Sequence, residues 1–318
     1  MSSASLYPRP ALAEREATAS LLASADLQAL LPLATLAVTG PDAASFLQGQ
    51  VTCDMREVTT ESSRPGGLLN LKGRLQISFR VLAVADGFVL VLPADQLAAA
   101  QQRLGKYAVF SKVTLTAGGW QVAGVLGQHA WQASGPWPAE PNQVCQDEGR
   151  MKLHLPGHFR GLVLTAAAAG SAEVTADAAA WQAWLTGSLR AGDLMLPAAD
   201  SERFQPQELD FHVLQGVSYQ KGCYLGQEIV ARLYFRGQLK TRLACLQGSD
   251  PGGDDALTLV SGTPVTAHGQ TVGELVAASW GDPAHVTVLA LLRDDSEHYE
   301  LISQEGRSLT LSALPFTR

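Results

Sequence analysis

The residues with the most capacity for chemistry stand together at Lys221-Gly222-Cys223-Tyr224-Leu225-Gly226-Gln227-Glu228. A thiolate is a nucleophile and a metal ligand, and a lysine two residues away can stabilise it by lowering the thiol pKa. The glycines flanking Cys223 permit left-handed backbone angles or the close approach of a ligand to the main chain. Gln227 and Glu228 add an amide and a carboxylate of the kind that pairs with a polar heterocycle. The plainer alternative is a cysteine buried as a small hydrophobe, and the residue types alone leave both readings open.

Other candidates are weaker. Cys53, Cys145 and Cys245 form no C-x-x-C pair with each other or with Cys223. A zinc ribbon, a thioredoxin-type pair and a self-contained iron–sulfur ligand set therefore have no support. Cys53 and Cys245 lie in apolar or strand-like surroundings and are expected in the core, whereas Cys145 falls in a loop-like stretch. His154 and His158 have metal-like spacing, but Pro156-Gly157 between them reads as a turn rather than one helical face. Asp254-Asp255 and Asp294-Asp295 read as turns. Neither a phosphate-binding P-loop nor a dinucleotide-binding glycine fingerprint occurs.

The charge pattern narrows the ligand. The net charge of −7 argues against a protein that coats nucleic acid, so direct nucleic-acid binding is disfavoured. Its distribution is uneven, because residues 221 to 242 hold Lys221, Arg232, Arg236, Lys240 and Arg242 against Glu228 alone. Residues 62 to 85 hold Arg64, Lys72, Arg74 and Arg80 with no acid. Two concentrated positive stretches in an acidic chain suit an anionic small molecule; solvated charges on strand faces are the rival account. The N-terminal residues lack a signal-peptide pattern, no apolar run approaches ~18 residues, and four cysteines are too few for a disulfide scaffold. A soluble cytoplasmic protein without a membrane partner is expected.

The elements that must position these residues can be read from periodicity. At 318 residues the chain exceeds one ordinary domain, and two or three units are expected. Leu33 to Thr39 reads as a strand, and Pro41-Asp42 opens a helix through Gln48. Leu75, Ile77, Phe79 and Val81 alternate with Gln76, Ser78 and Arg80, the mark of a half-buried strand, and Asp86-Gly87 turns it back into Phe88 to Leu92. A helix from about Asp95 to Tyr107 follows, with Leu97, Ala98, Leu104 and Ala108 on its apolar side. From Trp120 a similar order recurs: strand, short helix near Ala130, strands near Leu153 and Gly161, and a helix from Asp177. After Gly237, short strands separated by Gly, Pro and Asp turns suit a small β-barrel.

The motif Lys221 to Glu228, with Phe235-Arg236-Gly237 after it and Phe204 to Asp210 before it, resembles the signature of the YgfZ family of folate-binding iron–sulfur proteins. Phe46 to Asp54, Asn70 to Arg74 and Leu189 to Asp193 resemble its accessory blocks. The resemblance implies an α+β fold shared with the T-protein of the glycine cleavage system, a three-domain ring around a folate channel. The corresponding boundaries are residues 1–118 for an N-terminal α+β unit, 119–237 for a second unit carrying the motif, and 238–318 for a β-barrel. It further implies a tetrahydrofolate or folate-derivative cofactor, and support of iron–sulfur cluster assembly or repair, including in enzymes that thiolate tRNA. Iron–sulfur proteins or assembly factors are the implied partners.

Carried over by position, Cys223 and Lys221 are the chemical residues. Gln50, Asn70, Arg190, Gln207, Gln227, Glu228 and Arg236 fall in blocks implied to face folate, whose glutamate tail favours cations. The family often carries Asn where this chain has Asp210. A folate-dependent aminomethyltransferase is one rival, although Gly73 to Ser78, where T-proteins carry their catalytic acid, contains none. A non-catalytic folate-sensing scaffold is another, and whether the protein is an enzyme stays open.

Overall fold

The computed structural model describes residues 4–147, 149–167, 177–249, 257–281 and 284–318. The chain starts with β1 (Leu6–Pro8), α1 (Leu12–Ser24) and β2 (Leu27–Leu30). The first unit then follows as β3 (Leu33–Thr39), α2 (Ala43–Gln48), β4 (Arg64–Leu69), β5 (Leu75–Val84), β6 (Gly87–Pro93), α3 (Leu97–Ala108) and β7 (Thr114–Ala117). Its antiparallel sheet has the order β4-β5-β6-β3-β7. The second unit contains β8 (Trp120–Leu126), α4 (Gln128–Ala133), β9 (Val144–Asp147), β10 (Arg150–His154), β11 (Arg160–Ala166) and α5 (Ala178–Ala191). Asp177 caps α5 by accepting the Ala180 N–H at 2.8 Å.

After α6 (Gln227–Arg236) come β12 (Arg242–Ser249), β13 (Thr258–Val260), β14 (Pro264–Ala267), β15 (Gln270–Ser279), β16 (His285–Leu292), β17 (His298–Ile302) and β18 (Ser308–Leu314). Six of these strands close a barrel in the order β12-β16-β15-β14-β17-β18. Two α+β units followed by a barrel is the expected fold class, but the opening residues do not stay in the first unit. β2 joins the second sheet, ordered β2-β8-β11-β10-β9, and β1 pairs with β13 beside the barrel. The Asp254-Asp255 turn lies outside the described residues.

The units share their interior. One face of the first sheet packs Leu36, Val38 and Leu90 against Phe46, Leu47 and Leu104 of its own helices. Leu82, Val89 and Val91 on the other face join Val122, Leu153, Leu162 and Trp184 of the second unit. β6 is therefore apolar on both faces because both are covered. Each such side chain contributes about 1.5–3 kcal/mol on leaving water, so separating the units would be costly.

The alternation in β5 gave a half-buried strand, and the structure corrects this. Gln76, Ser78 and Arg80 are buried too. The segment after α5 covers them: Ser78 accepts the Leu196 N–H at 2.7 Å, and the Gln76 carbonyl accepts the Ser201 hydroxyl at 2.9 Å. Periodicity marks a face as polar; hydrogen-bond partners from a distant segment allow that face to be buried. On α3 the buried residues are Ala100 and Leu104, while Ala98 faces solvent.

Candidate functional site

The motif is held against the first unit through two glycines. The turn from β4 to β5 is closed by Asn70, whose side-chain oxygen accepts the N–H groups of Lys72 and Arg74 at 2.9 and 3.0 Å. Gly73 completes it with φ +70°, and a Cβ there would sit 2.9 Å from Cβ of Ile229 on α6. Reciprocally, Gly226 at the start of α6 has φ +79°, and its Cβ would lie 2.5 Å from the Asn70 carbonyl oxygen. The two blocks thus meet at a spacing only glycine allows. Gly222, on the other side of the cysteine, faces open space.

Lys221 turns inward. It is buried and donates to the carbonyls of Val51 and Cys53 at 2.8 and 2.7 Å, with its ammonium 5.0 Å from the Tyr224 ring centre. Burial lowers its pKa to about 8 and pushes the Cys53 thiol up to about 12. Cys223 is exposed, so the lysine expected to serve its thiol is instead bonded to backbone in the first unit. Thr52 adds to this joint: its hydroxyl donates to the Gly216 carbonyl at 2.6 Å and accepts the Gly67 N–H at 2.9 Å. Residues 51–53, within the first accessory block, therefore anchor the segment leading into the motif.

A second joint uses charge. Asp193 is buried between Arg80 of β5 and Arg160 of β11, each 2.7 Å away. Burial alone would raise its pKa, but the two guanidinium groups more than compensate and hold it at about 2. Arg80 also donates to Asn142, and Arg160 to the Pro156 carbonyl and the Ser188 hydroxyl. In the block Leu189 to Asp193, Asp193 carries this inter-unit bond; isolated sequence spacing offered no sign of its two partners.

A cleft of about 760 Å³ opens beside this joint, where the units meet. Tyr7 and Pro8 contribute from the segment paired to β13, Leu33 and Pro93 from the first unit, and Trp181 and Trp184 from α5. Arg160 lies over the Trp184 ring at 4.7 Å, and its Nε is buried without a hydrogen-bond partner. A smaller cleft of about 380 Å³ borders Leu225 of the motif and is lined by Gln50, Asn70, Lys72, Gln76, Arg103 and Glu202 among others. Here Gln76 donates to Glu202, bringing a carboxylate from a distant segment to a turn that lacks one in sequence.

The residues expected to face folate are distributed over several clefts and faces. Gln50 and Asn70 share the smaller cleft, whereas Arg190 lines a separate cavity of about 180 Å³ with Leu126, His158 and Thr186. Gln207 is buried and donates to the Val230 carbonyl at 2.8 Å. Gln227 begins α6 with its N–H on the Tyr224 carbonyl at 3.2 Å, and Glu228 and Arg236 are exposed on that helix. Asp210 adopts φ 55°, a left-handed conformation that Asn and Asp tolerate, and pairs with Arg318 at 2.7 Å. His154 lies in β10, its ring nitrogen meeting the Pro138 carbonyl at 3.0 Å. Among the described residues, no group of three or more His, Cys, Asp or Glu is placed to hold a metal ion.

Two α+β units and a barrel with a cleft at their junction define the aminomethyltransferase-type fold. The solved aminomethyltransferase T of the glycine cleavage system from Bartonella henselae superposes with a TM-score of 0.70 at 17% identity, covering 94% of this chain and 89% of that one. In sequence, the chain is 36% identical over 245 residues to the tRNA-modifying protein YgfZ of Serratia proteamaculans, 74% of each protein. It is 30% identical to the tRNA-modifying protein YgfZ of Escherichia coli O157:H7, covering 95% of this chain and 97% of that protein. The chain belongs to the YgfZ family. No protein-family model matches it. Among the described residues, no helix is long and apolar enough to cross a membrane.

Proposed function

We propose that the protein binds tetrahydrofolate or a folate derivative in the large junction cleft and supports assembly or repair of iron–sulfur clusters. Enzymes that thiolate tRNA are among its clients, and Cys223 is the functional thiol. The observation that carries the folate reading is the cleft itself: about 760 Å³, lined largely by apolar side chains, with two indoles and the Arg160–Asp193 ion pair at its edge. A folate combines an aromatic body with donor and acceptor edges and a carboxylate tail. Trp181 and the neighbouring apolar residues suit the body. The cleft side chains Gln182 and Ser188, beside the Arg160 guanidinium that pairs with Asp193, suit its polar atoms. When bound, folate supplies one-carbon or reducing chemistry. The chain's part is to enclose it and exclude water, and to keep Cys223 exposed to a partner.

Titration of purified protein with tetrahydrofolate tests the cleft. Trp181→Ala is expected to weaken binding about tenfold, since its indole supplies apolar contact worth on the order of 1–2 kcal/mol. Wild-type protein that does not bind, or a variant that binds equally well, would overturn this assignment. Cys223→Ala tests the thiol in a strain lacking the native gene, with iron–sulfur enzyme activity as readout; full rescue would remove it from the mechanism. Aminomethyl transfer remains the rival on this fold, with Glu202 beside Gln76 as the available carboxylate. Aminomethyl transfer in a glycine-cleavage assay would replace the accessory reading with that one.

A further inference from the structure

The positive stretch after the motif forms an outward face. Arg232 and Arg236 lie four residues apart on α6, a spacing that places them on one side of the helix, and Lys240 follows just beyond. All three are exposed; Glu228, one turn before Arg232, is the single acid of the helix, and from Ile229 to Arg242 the chain has none. Arg242 is excluded from the free charge because it pairs with Asp295.

Two exposed rings lie on the same helix, Phe235 one turn beyond Arg232 and Tyr234 on the side that carries Val230. Tyr234 is 54% exposed and Phe235 67%, although α6 already buries Val230 against the protein. Tyr234 stacks on Tyr219 with ring centres 3.8 Å apart, and Phe235 meets Tyr234 edge-on at 5.0 Å. The stack fixes the orientation of Tyr234 while leaving aromatic surface in water.

A groove of about 590 Å³ runs beside this platform, between residues 238–241 and the barrel. Lys240 and Arg293 line it together with Gln238, Thr241 and Thr271. It also holds two carboxylates: Glu208, which accepts the Gln205 N–H at 2.7 Å and keeps its charge, and Glu274, which pairs with Arg203 at 3.5 Å.

We propose that this face binds the unpaired loop of a transfer RNA. Bases stack on Tyr234 and Phe235, while Arg232, Arg236 and Lys240 hold phosphates. The proposal rests on the reading that the protein serves tRNA modification. Exposed rings interleaved with unpaired cations match single-stranded nucleic acid, which offers flat bases and regularly spaced negative charge. The chain-wide charge of −7 does not oppose this, because screening over about 8 Å leaves the ligand responding chiefly to the face it touches.

The test is fluorescence anisotropy of the full chain with a labelled transfer-RNA stem-loop and a single-stranded RNA of about ten nucleotides, over about 50–200 mM salt. Three neutralised phosphates predict a log–log salt slope of about −2 on the single strand. Arg232→Gln with Arg236→Gln should reduce it to about −0.7. Tyr234→Ala with Phe235→Ala should weaken binding at least about tenfold with the slope unchanged. A fully paired duplex should bind more weakly than either RNA.

Wild-type protein without measurable RNA binding, or variants equal to wild type, would overturn the proposal. So would variants that lose tRNA thiolation in cells when the wild type binds no RNA, an outcome that assigns this face to a protein partner. Failed RNA binding alongside intact folate binding and cellular rescue removes this surface alone. RNA binding without rescue removes the iron–sulfur reading and leaves the surface.

Discussion

Asp193→Asn is the sharpest test of how the junction is built. The carboxylate lies 2.7 Å from Arg80 on β5 and 2.7 Å from Arg160 on β11, so one side chain bridges two cations from different units. The amide nearly preserves shape, but it removes the charge and turns an NH2 donor toward a guanidinium. Breaking a buried ion pair from one side typically costs 3–5 kcal/mol, because the remaining charge stays desolvated. Protonation gives an independent scale: a carboxyl moved from 3.8 to about 2 represents on the order of 2 kcal/mol of native-state preference for the charged form. The substitution should exceed that value, since a protonated carboxyl can still accept from an arginine at both oxygens.

We therefore expect a loss of about 3 kcal/mol in urea unfolding at pH 7. The sign with pH follows from the depressed native pKa. This stabilisation is complete above the unfolded value near 3.8 and is lost as pH falls through about 2, so the wild type should lose it across that window. The variant should lack this component. Because Asp193 and Arg160 line the large cleft, tetrahydrofolate affinity should fall together with stability. A midpoint unchanged by the substitution, with the same acid profile as wild type, would show that Asp193 does not tie the units together.

The remaining predictions concern the motif. Gly226→Ala should cost about 2 kcal/mol or more, since it imposes left-handed strain and a contact with the Asn70 carbonyl; Gly222→Ala, with open space around it, should stay within about 0.5 kcal/mol. Equal midpoints for the two in urea would contradict the docking geometry. Lys221→Met should destabilise the chain by about 2 kcal/mol by leaving the Val51 and Cys53 carbonyls without their donor. Its pH signature is distinct: the folded site gives up its proton near 8, below the unfolded value of 10.5, so this group makes wild-type stability rise with pH between those values. An unchanged slope in the Met variant would show that Lys221 does not titrate in this window.

The β3–α2 segment, the β5–β6 hairpin, the second run of strands and the barrel were legible because each follows from local periodicity and turn residues. The partners across the junction were not. Gln76, Ser78 and Arg80 look solvent-facing in sequence, and the return of residues 193–202, together with Asn142, supplies the groups that let them be buried. For the same reason Arg190 is the prominent residue of the block Leu189 to Asp193 in sequence, while in the fold Asp193 holds the two arginines. Lys221 sits two residues from Cys223, but the loop sends the lysine inward and leaves the cysteine exposed. Sequence proximity cannot report that divergence.

The motif's residue types become intelligible when their directions are separated. Lys221 reaches two carbonyls, Tyr224 is buried beneath its ammonium, Gly226 contacts the Asn70 turn, and Gln227 starts α6. These positions tie the loop to the first unit and fix its exit into a helix. Cys223, between them, keeps its thiol at the surface. A cysteine needed only for packing would gain from none of this anchoring, because a small apolar side chain could be buried in its place. Chemistry with a macromolecular partner does require a thiol that is exposed and rigidly presented. The anchoring pattern therefore favours Cys223 acting on something brought from outside the chain, and predicts that loosening Gly226 will impair that action while the thiol itself remains intact.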